Sequence, residues 1–240
     1  MPTIAPDEVA GNSVMEVFPY TCRDAARYLR LPLWGVYGLT GRIRNDSNRE
    51  DDREPLSFPT LATVFVRAAS LPLFQDPSAN GTAWRAEWEI YAGMVQAFQE
   101  LPPFDDTPAE MRVDAFIRPY EGRIGADQLN RLRDEFARRI ERVEAAGGVP
   151  VRLFPFSRDP AESSPRIVVI DPRVRFGRPT VSGSGIPTDI LFERHQAGDS
   201  VADLVADYDL TAEEVEEAIR YETPTVPHFL PNPDRLERPR

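Results

Sequence analysis

Twenty-four prolines punctuate a chain of 240 residues, about twice the usual share of roughly 5%. Each removes a backbone N–H and locks φ, so a central β-strand does not tolerate one. The prolines gather between apolar-periodic stretches and towards the C-terminal end. The pattern implies small modules joined by stiff connections, not one continuous sheet. A hydrophobic content of 41% suffices for one large core or several small ones.

Between the prolines, helical spacing dominates. Residues 1–18 read as a loose arm. Tyr20 to Leu39 reads as two short helices, with Thr21 as N-cap, Ala25, Ala26 and Leu29 on one face, and Pro32 at the first position of the second helix. A polar loop follows, then LSFPTLATVFVRAASL, an extended piece and a helix. In TAWRAEWEIYAGMVQAFQEL, Trp84, Trp88, Tyr91, Val95 and Phe98 share one helical face. Their neighbours Arg85, Glu87 and Glu89 favour a core or dimer stripe over a nucleic-acid stacking platform. Residues 101–124 are Pro-rich and read as irregular. The next helix carries Leu129, Leu132, Phe136, Ile140 and Val143 as its stripe and stops at Gly147-Gly148. VPVRLFPF alternates like a strand, SRDPAESSP is a linker, and RIVVIDPRV is a further strand.

The stretch RPTVSGSGIPTDILFERHQAGDS, residues 178–200, offers two readings. A phosphate-cradling loop needs a lysine before its hydroxyl, or a third glycine in the dinucleotide fingerprint. The chain has no lysine, and Pro187 stands where a backbone donor is wanted. A tight hairpin fits better, with Thr180-Val181 and Ile186-Pro187 flanking Gly183 and Gly185. Thr188 or Asp189 is expected to cap a helix to about Ala197, ended by Gly198. Ser200 caps a second helix, with Val201, Leu204 and Val205 inward. Thr211 and Glu214 form a capping box on a third, whose inner face is Val215, Ala218 and Ile219.

Composition removes several chemistries. There is no lysine for a Schiff base, one cysteine (Cys22), and two distant histidines, His195 and His228. No enzyme activity, cofactor or metal is expected. No signal-peptide pattern and no apolar run of ~20 residues occurs, which favours a cytoplasmic protein without a membrane partner. The net charge of −11 argues against general nucleic-acid coating.

Charge is uneven along the chain. Between Pro19 and Arg44, five arginines face one acid, Asp24. Arg23, Arg27, Arg30, Arg42 and Arg44, with Trp34 and Tyr37, are therefore candidate DNA contacts. PLWGVYGL has no basic or amide side chain to read a base, so a fold that only packs or dimerises stays open. From Asp199 to Glu222, nine acids face one base, Arg220. Phosphate would repel such a segment. A dimer surface, a contact with a basic protein, or a merely solvated face remain. In the tail, Phe229 and Leu230 are apolar anchors, and Arg235, Arg238 and Arg240 outnumber the acids.

The elements Ile170-Asp171-Pro172, Gly177-Arg178-Pro179, the Gly183/Ile186-Pro187 turn, Gly198, Asp207-Tyr208 and Leu210-Thr211 resemble a bacterial domain of unknown function. That domain occurs in VapB-like antitoxins of type II toxin–antitoxin pairs. The likeness spans roughly residues 170–222, and Ser184-Gly185 departs from the family's usual Thr-Arg. Tyr20-Thr21, Asp24-Ala25-Ala26, Tyr28-Leu29 and Leu31-Pro32 resemble the MerR-like helix-turn-helix of longer members. The likeness is weakest at 71–124.

The resemblance implies neutralisation of a PIN-like ribonuclease toxin and, often, binding of the protein's own promoter DNA. A stand-alone transcription regulator and a protein-binding adaptor are the alternatives. The carboxylate cluster of a PIN-like site would suit Phe229, Leu230, Arg235, Arg238 and Arg240 as toxin contacts, against a plainly disordered end. A homodimer or hetero-oligomer is expected.

The expected fold is mainly α with short β-hairpins, as small helical or winged-helix-like modules joined by Pro-rich linkers. Its parts are an arm plus helix-turn-helix (1–55), a helical middle (56–148), a strand and linker (149–165), a hairpin with three helices (166–222) and an extended tail (223–240).

Overall fold

Thr21 opens the first helix through a reciprocal pair. Its hydroxyl accepts from the Asp24 N–H, and the Asp24 carboxylate accepts from the Thr21 N–H. Helix α1 then runs Cys22–Tyr28. The computed structural model describes residues 20–40, 55–74, 109–159 and 164–224. The arm at 1–18, Arg42, Arg44, the Trp84–Phe98 stripe and the tail residues from 225 lie outside the described residues.

Helix α2, Leu33–Leu39, follows Pro32, which is the N-cap and not the first helical residue. Tyr20 pairs with Leu56 as a short antiparallel bridge, with N–O distances of 2.9 and 2.7 Å. Ser57 then caps α3, Phe58–Arg67, which continues into a 3-10 segment, Ala68–Phe74. Part of the stretch expected to be irregular is helical: α4 spans Ala109–Ile117. Its prolines fall outside that interval, and Pro119 lies in the 3-10 turn after it.

Helix α5, Ala126–Ile140, buries Leu132, Phe136 and Ile140. Val143 is not on it. Strands β1 (Val143–Ala146) and β2 (Val149–Leu153) form an antiparallel hairpin around Gly147-Gly148. Both glycines have positive φ, 57° and 76°, as a two-residue type I′ turn requires. The glycine pair stops a strand instead of a helix. Sequence spacing misled here because Val143 is three residues beyond Ile140, and the hairpin buries it just as a helix would.

Leu153 bridges Ile170 (N–O 3.0 and 2.8 Å), which carries the chain to β3, Val168–Val169. Strand β4, Thr180–Val181, pairs with β3 and not chiefly with Ile186-Pro187. The expected glycine turn is present in reduced form. Val181 N–H donates to the Ile186 carbonyl (2.8 Å), Thr180 bridges Pro187, and Gly183 and Gly185 have φ of 83° and 67°. Helices α6 (Thr188–Gln196), α7 (Val201–Tyr208) and α8 (Ala212–Glu222) complete the module. Neither Thr188 nor Asp189 caps α6; Pro187 is its N-cap. The Thr188 hydroxyl is drawn instead to Glu222 Oε1, at 2.6 Å. Ser200 and Thr211 cap α7 and α8 with capping boxes, as their spacing implies.

The described chain is thus mainly helical with two short antiparallel strand pairs. Two apolar cores result. The larger joins α1–α5 with the β1–β2 hairpin and Ile170, around Phe58, Phe65, Phe136 and Tyr120. The smaller holds Val181, Leu191, Leu204, Leu210, Val215 and Ala218. No described helix is long and apolar enough to cross a membrane.

Candidate functional site

Two of the arginines expected to face DNA, Arg27 and Arg30, reach the seam between the two cores. Arg23 stands exposed on α1. Arg27, four residues on, reaches Glu222 of α8 (3.1 Å) and Asp189 of α6 (3.4 Å). Arg30 sits just after α1 with a positive φ of 54°. That bend lets its guanidinium donate to the carbonyls of Ser157, Arg220 and Thr223, at 3.1 to 3.4 Å. Tyr37 is half-buried against the larger core. For Trp34 the structure describes the helical backbone alone.

Other groups lock the same seam. The buried Tyr221 hydroxyl donates to the Tyr28 carbonyl at 2.6 Å. Burial, with Glu222 nearby, pushes the Tyr221 phenol well above its ordinary pKa, so it remains a donor. Glu217 is fully buried on α8. It accepts from the Ser157 hydroxyl, from Arg158 (3.0 and 2.8 Å) and from Arg220. Ser157 and Arg158 belong to the linker after β2, so Glu217 ties the smaller module to the larger.

Gly177 explains one motif position. Its φ is +72°, and an added Cβ would overlap the Tyr20 hydroxyl and lie 2.9 Å from Tyr20 Cζ. Only glycine fits both the left-handed backbone and the ring. The two preceding residues, Arg175 and Phe176, also have positive φ, 48° and 59°. Phe176 is 73% exposed. Arg178 pairs with Asp189, and Pro179 offers its carbonyl to Thr188, N–O 3.1 Å. Ile186 packs against the smaller core, and Gly183 meets nothing among the described residues within 4 Å of an added Cβ. The motif residues therefore build the module and its junction.

Asp171 is a residue the motif marked without a role. It accepts from Arg173 N–H and guanidinium (2.8 to 2.9 Å) and from Arg152 (3.1 Å). Burial raises its pKa, but these donors outweigh it and hold the carboxyl below its usual value. Arg142 carried no sequence signal at all. Its guanidinium is met by the carbonyls of Phe154, Pro155, Ser164 and Pro165 and stacks 4.7 Å from the Phe156 ring centroid. Burial brings its pKa down to about 10. Four carbonyls from both ends of a Pro-rich linker meet at one cation, a convergence invisible in the one-dimensional sequence.

The acidic surplus at 199–222 is mostly engaged. Asp203 and Glu214 close capping boxes, and Asp199 and Asp207 pair with Arg194. Glu217 and Glu222 face the seam. Asp209, Glu213 and Glu216 are the exposed remainder. His195 contacts the Asp199 carbonyl at 3.0 Å. Among the described residues, no three His, Cys, Asp or Glu side chains form a group able to hold a metal. Phe229, Leu230, Arg235, Arg238 and Arg240 lie outside the described residues.

Against known proteins, residues 168–221 match the family described as a protein of unknown function, DUF433. The boundary agrees with the span marked out by the motifs. The chain is similar in fold to the crystal structure of RV2018 from Mycobacterium tuberculosis, with a TM-score of 0.51 and 20% identity, covering 84% of this chain and 97% of that one. No curated protein matches the chain.

Proposed function

We propose that this chain is the antitoxin of a type II toxin–antitoxin pair, which binds a PIN-like ribonuclease through its C-terminal tail and its own promoter DNA through the N-terminal helices. The observation that carries the reading is where the tail begins. Helix α8 ends at Glu222, and the carbonyl of its C-cap, Thr223, is held by Arg30 of the N-terminal module. The folded body therefore has a fixed point on the seam at the residue just before the Pro-rich sequence. Proline restricts a free chain, so such a sequence has less freedom to lose on binding. Its arginines suit a carboxylate-lined metal site by charge-assisted pairing.

The DNA half rests on the helix-turn-helix resemblance and on Arg23. Arg27 and Arg30 are engaged by α6, α8 and the linker. Phosphates would have to compete for them.

The test is neutralisation of the ribonuclease encoded beside this chain. The full chain should co-purify with it and block RNA cleavage, and a chain truncated after Thr223 should not. Full protection of cells by the truncated chain sinks the tail's role. For the DNA half, absence of a mobility shift with the upstream DNA at low salt removes promoter binding and leaves the neutralisation arm standing.

A further inference from the structure

A cleft with a volume of about 840 Å³ lies beside the seam. Ligand sites fall in the range of roughly 300–1,000 Å³. Its walls come from the α1–α2 junction, α3 with its 3-10 extension, α5, the linker after β2, and α8. Leu29, Leu31, Leu71 and Phe156 make one side apolar. Five arginines and two acids, Glu135 and Asp159, line the remainder, a local positive excess in a chain of net charge −11.

Three of these arginines are held in place with a donor left over. Arg139 lies 5.1 and 5.4 Å from the Phe65 and Phe156 ring centroids. Its Nε donates to Glu135 at 2.8 Å and its Nη1 to the Phe65 carbonyl at 2.9 Å. Arg138 gives Nε and Nη2 to Glu135, and Arg158 gives Nε and Nη2 to Glu217. Nη2 of Arg139 and Nη1 of Arg138 and Arg158 have no acceptor among the described residues. Fixed guanidinium forks beside an apolar wall suit a carboxylate or phosphate attached to an apolar body.

We propose that this cleft binds a small amphipathic anion, its apolar part against Leu29, Leu31, Leu71 and Phe156 and its acidic head on Arg138, Arg139 and Arg158. A bound molecule would touch the larger core and the linker after β2, beside Arg220 of α8. Small size is favoured over a nucleic-acid strand because the walls close on the cleft from five elements.

Isothermal titration calorimetry on the full chain tests it with decanoate, decyl phosphate and neutral decanol, all below micelle formation. Decanoate and decyl phosphate should bind at least about tenfold more tightly than decanol. Arg138→Glu replaces a half-exposed side chain, so the fold should keep its circular dichroism and melting midpoint. That variant should weaken both anions about tenfold or more and leave decanol unchanged. Equal binding of decanol and decanoate would reduce the cleft to an apolar patch and overturn the proposal. So would the absence of binding by all three, or an Arg138→Glu variant that binds the anions as before.

Discussion

The two cores are built by different means. The smaller module is specified locally. Capping boxes at Ser200 and Thr211 start α7 and α8, a left-handed Asp209 ends α7, and six buried apolar side chains suffice. The larger core is assembled from partners far apart in sequence. Tyr20 pairs with Leu56, Arg139 reaches the Phe65 carbonyl, and Phe136 stacks on Phe116 at 5.1 Å. Between them lies a polar seam, whose ion pairs and buried carboxylate depend on geometry more than burial does. The difference suggests that the small module folds on local instruction and borrows its stability from the large one.

Glu217 gives the sharpest way to break that contrast. It is buried and shared by Ser157, Arg158 and Arg220. Glu217→Ala leaves those donors facing an empty site, at a cost of about 1–3 kcal/mol, since Arg158 and Arg220 are partly exposed. If the seam couples the cores, the variant should melt in one transition shifted down, seen by calorimetry. Two separated transitions would show instead that the cores unfold independently.

Gly177→Ala comes next. A left-handed non-glycine residue and overlap with Tyr20 together should cost about 2–4 kcal/mol. Urea unfolding of Gly177→Ala with Tyr20→Phe should recover part of the loss, because the overlapping oxygen is gone. Tyr20→Phe alone should stabilise by about 1 kcal/mol, since the buried Tyr20 hydroxyl has no hydrogen-bond partner among the described residues. A Tyr20→Phe variant less stable than the parent would mean that the hydroxyl contributes something the packing does not reveal.

These residues also mark how far the sequence could be read. The helix starts at Thr21, Ser200 and Thr211 are local chemistry, and all three stand. The motif around Gly177 flagged a constrained turn, yet its cause, the Tyr20 ring, is 157 positions away in the sequence. Spacing mistook a hairpin glycine pair for a helix stop because burial of Val143 satisfies both periods. Charge counting sees the excess of arginine around Arg27 and Arg30 but not the carboxylates and carbonyls that α6, α8 and the linker bring to them. Glu217 looked like one more acid on a solvated helix; only packing distinguishes it from Glu216.

Acid should weaken the contacts of Asp171. Asp171 titrates below its usual value because Arg173 and Arg152 stabilise its charged form. A depressed folded-state pKa adds stability above the unfolded pKa of about 3.9, lost as pH falls through the folded value. Asp171→Asn should therefore unfold more easily at neutral pH, and its deficit should shrink towards pH 3. Chemical denaturation at a series of pH values measures this. A deficit unchanged with pH would place the role of Asp171 in packing and not in charge.

The smallest effect on stability tests the seam most directly for function. Arg27 is 54% exposed, so removal of its pairs with Glu222 and Asp189 should change stability by less than about 1 kcal/mol. Glu222→Gln with Asp189→Asn has the opposite consequence, because it leaves Arg27 in place and releases it. If the C-terminal module holds that arginine away from DNA phosphates, the double variant should bind the upstream DNA more tightly at low salt, with a steeper salt dependence. Arg27→Ala in the same background should return binding to the parent level. Equal affinity of parent and double variant would mean that the seam joins the two cores without governing access to the helix-turn-helix.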